Sequence, residues 1–325
     1  MGVGSATGSE VAYPTGLRRL ALAPAALIRL IRQLWNQGGG RDTTAHLKRL
    51  GLRHGQAIAA TKLIKKVMSP ALAARRARGG VDQVGAAGWR RMEATPESRS
   101  LAAFCAGLFD SKRADVMASF QPPYGFVIRY VEQGSQIALE LPEEFRPIVE
   151  FCARHEIFDT VAAYIGEAPV ISNVSLVYTQ EHSTRIGPQL FHRDANEARQ
   201  LHLVIPVWEV DHEAGPFTFL PADKSAPVIR TLRHESARIP DDVMFQHCSP
   251  SDLVECTGQP GDIYLLNPCA CIHFGARTKS RPRLLLIVNL TSLFEGAEGQ
   301  HAVHRAANRA VLNDGSERVR LLLNL

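Results

Sequence analysis

Cysteine is scarce: Cys105, Cys152, Cys248, Cys256, Cys269 and Cys271 are the only six in 325 residues. That is too few for a disulfide scaffold, and no two stand in the Cys-x-x-Cys spacing of zinc or redox sites, so reduced thiols and a cytoplasmic setting are expected. Cys269 and Cys271, flanking Ala270, read as small core residues. No apolar stretch reaches the ~18–20 residues of a membrane span. The best candidate, residues 17–35, is interrupted by Arg18, Arg19, Arg29 and Arg32. Neither a cleavable signal nor a lipid anchor is expected, since Ala6 stands where a myristoylated start carries Ser or Thr. Internal repeats are lacking too. With 45% hydrophobic, 7% aromatic and 21% charged residues, chain-wide disorder, collagen and coiled coil are excluded.

What is present is an asymmetry of charge. Residues 1–100 carry 17 Lys and Arg against 5 Asp and Glu, a net +12, whereas the remaining 225 carry 20 against 27, a net −7. A basic leader therefore precedes a mildly acidic body, and the division expected is a mostly helical extension over 1–92 and a catalytic-sized domain over 93–325. Such a leader can meet nucleic acid, an anionic surface or an acidic partner, although solvation of short surface helices explains the same charges.

Periodicity sorts the chain into a helical first half and a stranded second half. Leu20, Pro24, Leu27, Ile28, Ile31, Leu34 and Trp35 recur at steps of three and four and mark one amphipathic helix; Ala57, Ile58, Leu63, Ile64 and Val67, with Lys62, Lys65 and Lys66, read as a second, and a short basic helix is expected after Pro70. Thr95-Pro96-Glu97-Ser98 is a helix start, with a capping hydroxyl, a proline in the first turn and an early carboxylate. A further helix is expected over 143–165. Beyond it, runs of Val, Ile, Leu and Phe at 170–178, 189–191, 201–208, 217–220, 253–256, 262–266 and 284–290 alternate with turn residues and predict strands. The tail returns to helix at 302–312. This is an α+β chain with a mainly β core, and so many short strands argue for a sandwich or barrel over a parallel sheet.

Within the stranded half, His192-Arg193-Asp194 places an imidazole and a carboxylate two residues apart, on one side of an extended segment. Roughly one His-x-acid triplet is expected by chance in such a composition, so the pair needs a third ligand. His273 is the candidate: it follows the turn and apolar strand Gly261-Asp262-Ile263-Tyr264-Leu265-Leu266 and precedes Arg281-Pro282-Arg283. Two histidines and one carboxylate form the facial triad of non-haem Fe(II) sites. Arg283, at the mouth of the next strand, can grip a carboxylate co-substrate in two-pronged fashion, with Arg281 competing for that role.

Taken together, Gln189-Leu190-Phe191-His192-Arg193-Asp194, the run from Val210 to Pro221 containing Gly215-Pro216, then Gly261-Asp262, His273-Phe274-Gly275 and Arg281-Pro282-Arg283 resemble the phytanoyl-CoA dioxygenase family of Fe(II)- and 2-oxoglutarate-dependent oxygenases over residues 100–290. The resemblance implies a double-stranded β-helix of jelly-roll, cupin-like type with helices outside. It implies His192, Asp194 and His273 as iron ligands, Arg283 as the anchor of the distal carboxylate of 2-oxoglutarate, and Gln189 in the cofactor pocket. The implied reaction consumes O₂, releases succinate and CO₂, and hydroxylates a small-molecule substrate. Asp194 argues against halogenation, which in relatives replaces that carboxylate by a small residue. The chain departs from the pattern at Pro221-Ala222-Asp223-Lys224-Ser225, read as a loop facing a different substrate, and the leader has no counterpart in the family. Two other readings remain open: a cupin-like metal enzyme that does not use 2-oxoglutarate, and a non-catalytic barrel scaffold whose leader binds a partner.

Overall fold

A computed structural model describes residue 60 and residues 82–118, 142–181, 185–194, 200–232, 238–292 and 315–323. All but residue 60 belong to the compact unit Ala71–Leu325. Apart from Ala60, the helices expected in the leader lie outside the described residues, as does the tail helix at 302–312.

The first long helix, α1 (Pro96–Ala118), starts where the sequence places it. The Thr95 Oγ1 accepts from the Ser98 backbone N–H at 3.1 Å and the Ser98 Oγ accepts from the Thr95 N–H at 2.8 Å, which satisfies two orphan donors reciprocally. The helix expected over 143–165 is instead two: α2 (Pro142–Cys152) and α3 (His155–Ile165), separated by the extended Arg154. The cause is readable in the spacing. The stripe Phe145, Ile148, Val149, Cys152 would next bury His155 or Glu156, whereas breaking the helix turns Ile157, Phe158 and Val161 inward instead.

Among the described residues, eight strands form two antiparallel sheets. The larger has the order β1 (Trp89–Met92), β6 (Ile263–Leu266), β3 (Leu201–Pro206), β8 (Arg283–Ser292), β2 (Pro169–Thr179); the smaller has β5 (Val254–Glu255), β4 (Thr218–Leu220), β7 (Ile272–Phe274). Single bridges pair His192 with His273 and Phe191 with Ile239, extending the smaller sheet beyond β7. The chain thus shuttles between the sheets: β2 in the larger, 191–192 in the smaller, β3 in the larger, β4 and β5 in the smaller, β6 in the larger, β7 in the smaller, β8 in the larger.

Three elements escape the sequence reading. β1 comes from residues assigned to the leader and pairs with β6. β7 is only three residues long, and residues 221–225 are not a loop but the start of α4 (Ala222–Leu232). There the Ser225 Oγ donates to the Leu220 carbonyl at 2.8 Å and accepts from the Ile272 N–H at 2.9 Å, tying the helix to the end of the β4–β7 ladder. Conversely, 189–191 is not a strand: Gly187–Gln189 form a 3₁₀ turn, because Pro188 offers no N–H for a ladder.

Alternation along the large sheet divides its faces. Leu201, Leu203 and Ile205 of β3, Leu176 and Tyr178 of β2, and Leu284, Leu286, Val288 and Leu290 of β8 share one buried cluster with α1, α2 and α3. Val204, Leu285, Tyr264 and Leu266 point the other way and pack with Phe217 and Phe219 of the smaller sheet's side. The candidate site lies on this second, inner face.

Candidate metal centre

The segment bearing His192 is held from three sides. The Gln189 amide Oε1 accepts from the Ile186 N–H at 2.9 Å, and its Nε2 donates to the Ala276 carbonyl at 3.2 Å. The Arg277 Nε donates to the Gln189 carbonyl at 2.6 Å while its guanidinium pairs with Asp241 and lies 3.5 Å from the centre of the Phe274 ring. The His192 N–H donates to the His273 carbonyl at 2.9 Å and the His273 N–H returns the bond at 2.8 Å, so the two candidate ligands sit side by side as a bridge pair. Asp194 is anchored through its N–H to the Pro268 carbonyl at 3.0 Å.

The structure brings together the three residues singled out in the sequence. Donor atoms of His192, Asp194 and His273 all lie within 4.8 Å of one another. The Asp194 Oδ1 is 3.9 Å from Nε2 of each histidine, and the imidazole centroids are 4.3 Å apart. The Nδ1 of His192 meets the Leu190 carbonyl at 2.9 Å and that of His273 the Cys271 carbonyl at 3.0 Å. A carbonyl can only accept, so each Nδ1 carries the proton and each Nε2 presents a lone pair to the shared space.

Electrostatics keep those lone pairs free. Burial, reinforced by the neighbouring His273, pushes the His192 imidazole down to about 3, and burial also lowers His273. Burial alone would raise the Asp194 carboxyl, but His273, His202 and His192 around it hold it below the usual carboxylate range. Two neutral imidazoles and one carboxylate, on one side of a common point, fit a ferrous ion with open positions opposite.

Arg283 enters from β8. It is 2% exposed, its Nη1 donates to the Gly215 carbonyl, and its Nη2 reaches the Thr179 Oγ1 at 3.3 Å. It forms no ion pair among the described residues, and its Nε has no hydrogen-bond partner. Burial lowers it to about 10, so it stays a cation at neutral pH. Gly215 lets the backbone of Arg277 and Thr278 pack against it: its φ is +66°, and a Cβ there would stand 2.4 Å from the Arg277 carbonyl carbon. Gly275, two residues past His273, has the Arg283 Nη2 3.9 Å from where its Cβ would be, and Phe217 stacks on the His273 ring at 5.1 Å. Arg281 is by contrast exposed and committed to Asp211 at 2.5 Å and Glu209 at 3.3 Å.

Other sequence readings sort themselves on the same page. Gly261, at φ +92°, is a turn residue packed against the backbone of Arg99, and Asp262 beside it takes Arg91 at 3.0 Å, pinning β1 to β6. Tyr178 and Trp208 face α1, packing around Phe109, and not the inner face. His212 is an exposed partner of Glu255. Cys269 and Cys271 are buried. His301 and His304 lie outside the described residues. His202, read from sequence as structural or exposed, is buried with its Nε2 3.6 Å from the Asp194 Oδ2. The signal that could have found it is its even-numbered place in the run Leu201-His202-Leu203-Val204-Ile205, a lone imidazole on the face opposite the leucines.

No protein-family model matches the chain, and no curated protein matches it. Solved structures do share part of its course. EctD from S. alaskensis with 2-oxoglutarate and 5-hydroxyectoine is 15% identical, with 67% of this chain and 77% of that one covered and a TM-score of 0.45. HygX from Streptomyces hygroscopicus with nickel and 2-oxoglutarate is 14% identical, covering 65% and 85% at 0.41. The epimerase SnoN in complex with Fe3+, alpha ketoglutarate and nogalamycin RO is 13% identical, covering 78% and 93% at 0.42. At such identities and scores, any functional reading rests on the side chains of this chain.

Proposed function

We propose that this chain is an Fe(II)- and 2-oxoglutarate-dependent dioxygenase of the phytanoyl-CoA dioxygenase-like kind, built on a double-stranded β-helix and hydroxylating a small organic molecule. The shuttling of consecutive strands between two antiparallel sheets supports the fold. One observation carries the function: a buried guanidinium without an ion pair among the described residues, Arg283, lies against Gly275, two residues from the ligand histidine His273. A buried cation is costly unless an anion meets it, and a dicarboxylate held between the metal and Arg283 would be that anion.

In this reading His192, Asp194 and His273 hold the metal and Arg283 receives the distal carboxylate of 2-oxoglutarate, helped by the Thr179 hydroxyl. Arg281, already paired with two acids, does not. Gln189 shapes the cofactor pocket through the loop it closes. When bound, ferrous iron with 2-oxoglutarate and O₂ supplies an oxidative decarboxylation, yielding succinate and CO₂, that drives C–H hydroxylation. The protein's own part is positional: the carbonyls of Leu190 and Cys271 fix the two rings, and Phe217 shields His273 from water.

Anaerobic addition of Fe(II) and 2-oxoglutarate should produce a visible charge-transfer band that His192→Ala abolishes together with succinate formation. A folded protein without the band would favour the cupin-like enzyme or the scaffold. Six free cysteines agree with a cytoplasmic setting. Among the described residues no helix is long and apolar enough to cross a membrane. The basic leader is a separate element in this proposal, and removing residues 1–70 should leave the band intact.

A further inference from the structure

The inner face of the large sheet carries one polar row that the proposed chemistry does not use. Register places Asn173 of β2 opposite Asn289 of β8, and Asn289 opposite His202 of β3. A bulge at Ser172 sets this register, since Ile171 still faces Leu290 while Asn173 faces Asn289, and the Ser172 Oγ donates to the Asn289 carbonyl at 3.3 Å. His202 is 7% exposed, and neither ring nitrogen has a hydrogen-bond partner. Its Nε2 faces the Asp194 Oδ2 at 3.6 Å, too far for a hydrogen bond but close enough for the carboxylate's charge to favour the tautomer protonated at Nε2, which leaves Nδ1 as an acceptor with no donor among the described residues. At the other end, the Asn173 Nδ2 donates to the Ser175 Oγ at 3.0 Å, and its Oδ1 is a buried acceptor without a donor.

Two buried orphan acceptors on one row destabilise the fold unless something fills them. From this we infer that His202 Nδ1 and Asn173 Oδ1 are substrate-recognition groups, and that the substrate is a hydroxyl- or amine-bearing molecule donating a hydrogen bond to each. Two strand spacings separate the acceptors, so such a molecule spans about 10 Å, the length of two linked sugar rings or a short polyamine. Asn289, half-buried between them, can meet either polarity. An acyl chain has no donor to offer this row. The inference deepens the proposed function and rests on it, because contact with Asp194 is what places the bound group beside the metal.

The test uses the full chain loaded with Co(II) and 2-oxoglutarate, whose visible bands report binding next to the metal. The probes are a panel of disaccharides, amino sugars and polyamines against a panel of saturated fatty acids and their methyl esters. Responses are expected from the first panel only. His202→Phe and Asn173→Leu should each weaken a responding donor at least tenfold, with Co(II) and 2-oxoglutarate affinities within threefold of wild type and thermal midpoints unchanged or higher. The inference is overturned by responses from the acyl panel, by silence of every donor, or by donors that bind both variants undiminished. Loss of Co(II) affinity in His202→Phe also overturns it, assigning that ring to positioning Asp194. Failure of the wild-type chain to bind Co(II) and 2-oxoglutarate at all would instead remove the proposed function underneath.

Discussion

The two faces of the five-stranded sheet are built from the same strands and could hardly differ more. Outward, toward α1, α2 and α3, β3 presents Leu201, Leu203 and Ile205 and β8 presents Leu284, Leu286, Val288 and Leu290, and Phe109, Tyr178 and Trp208 close the cluster with ring centroids 5.0 to 5.9 Å apart. Inward, the same strands present Arg283, Asn289 and His202, and among the described residues the Arg283 Nε and both ring nitrogens of His202 have no hydrogen-bond partner. One face is spent on stability and the other gives some of it up for a site, the division expected where a rigid scaffold must preorganise groups for a ligand.

Breaking the outer face should produce the largest effect on folding. Phe109→Ala removes a fully buried ring, and equilibrium urea unfolding should show a loss of about 3–5 kcal/mol with 2-oxoglutarate affinity of the remaining folded protein unchanged. A changed affinity at intact stability would mean the two faces are not separate.

Acid should expose the inner face. His202 stands at about 4 in the folded chain and near 6.5 when unfolded, so between these values the unfolded state holds the extra proton. Stability of the metal-free protein is therefore complete above about pH 6.5 and falls as pH drops toward 4, by on the order of 3 kcal/mol from this residue. Thermal midpoints measured across that window should decline less steeply in His202→Phe, the remaining slope coming from His192 and His273, which burial lowers as well; an equally steep decline would place the proton uptake elsewhere.

Arg283→Met should separate function from folding. Dissociation of 2-oxoglutarate, measured by titration of the iron charge-transfer band, is expected to weaken about 100-fold, or about 2.7 kcal/mol, while the urea midpoint does not fall. The smallest effect belongs to its neighbour: Arg281→Ala removes an exposed ion-pair donor, should cost under about 1 kcal/mol, and should leave 2-oxoglutarate affinity within twofold. The reverse ranking of these two arginines would reassign the anchor.

Much of this was legible in residue order, and what was not has physical causes. Apolar runs such as 170–178 and 284–290, bounded by turn residues, announced β2 and β8, and Thr95 to Ser98 announced α1, because local propensity and tertiary use agree there. β7 went unseen: three residues around a histidine carry no period, and only pairing with β4 makes them a strand. α4 was hidden behind Pro221, which precedes it, and Pro227, which lies within it and reads as loop chemistry yet is tolerated there. In the site, His192, Asp194, His273 and Arg283 stood out by type and spacing. His202 did not, because a lone imidazole in an apolar strand acquires meaning only from what faces it.

By itself the sequence determined the class of fold and the chemistry available, since alternation, caps and donor types are properties of neighbours along the chain. Which of two arginines two residues apart is buried without a counter-ion, and which polar side chains share a wall with the aspartate, were decided by strand register. Register depends on long-range hydrogen bonding and burial, and a one-residue slip would turn each of those groups to the opposite face.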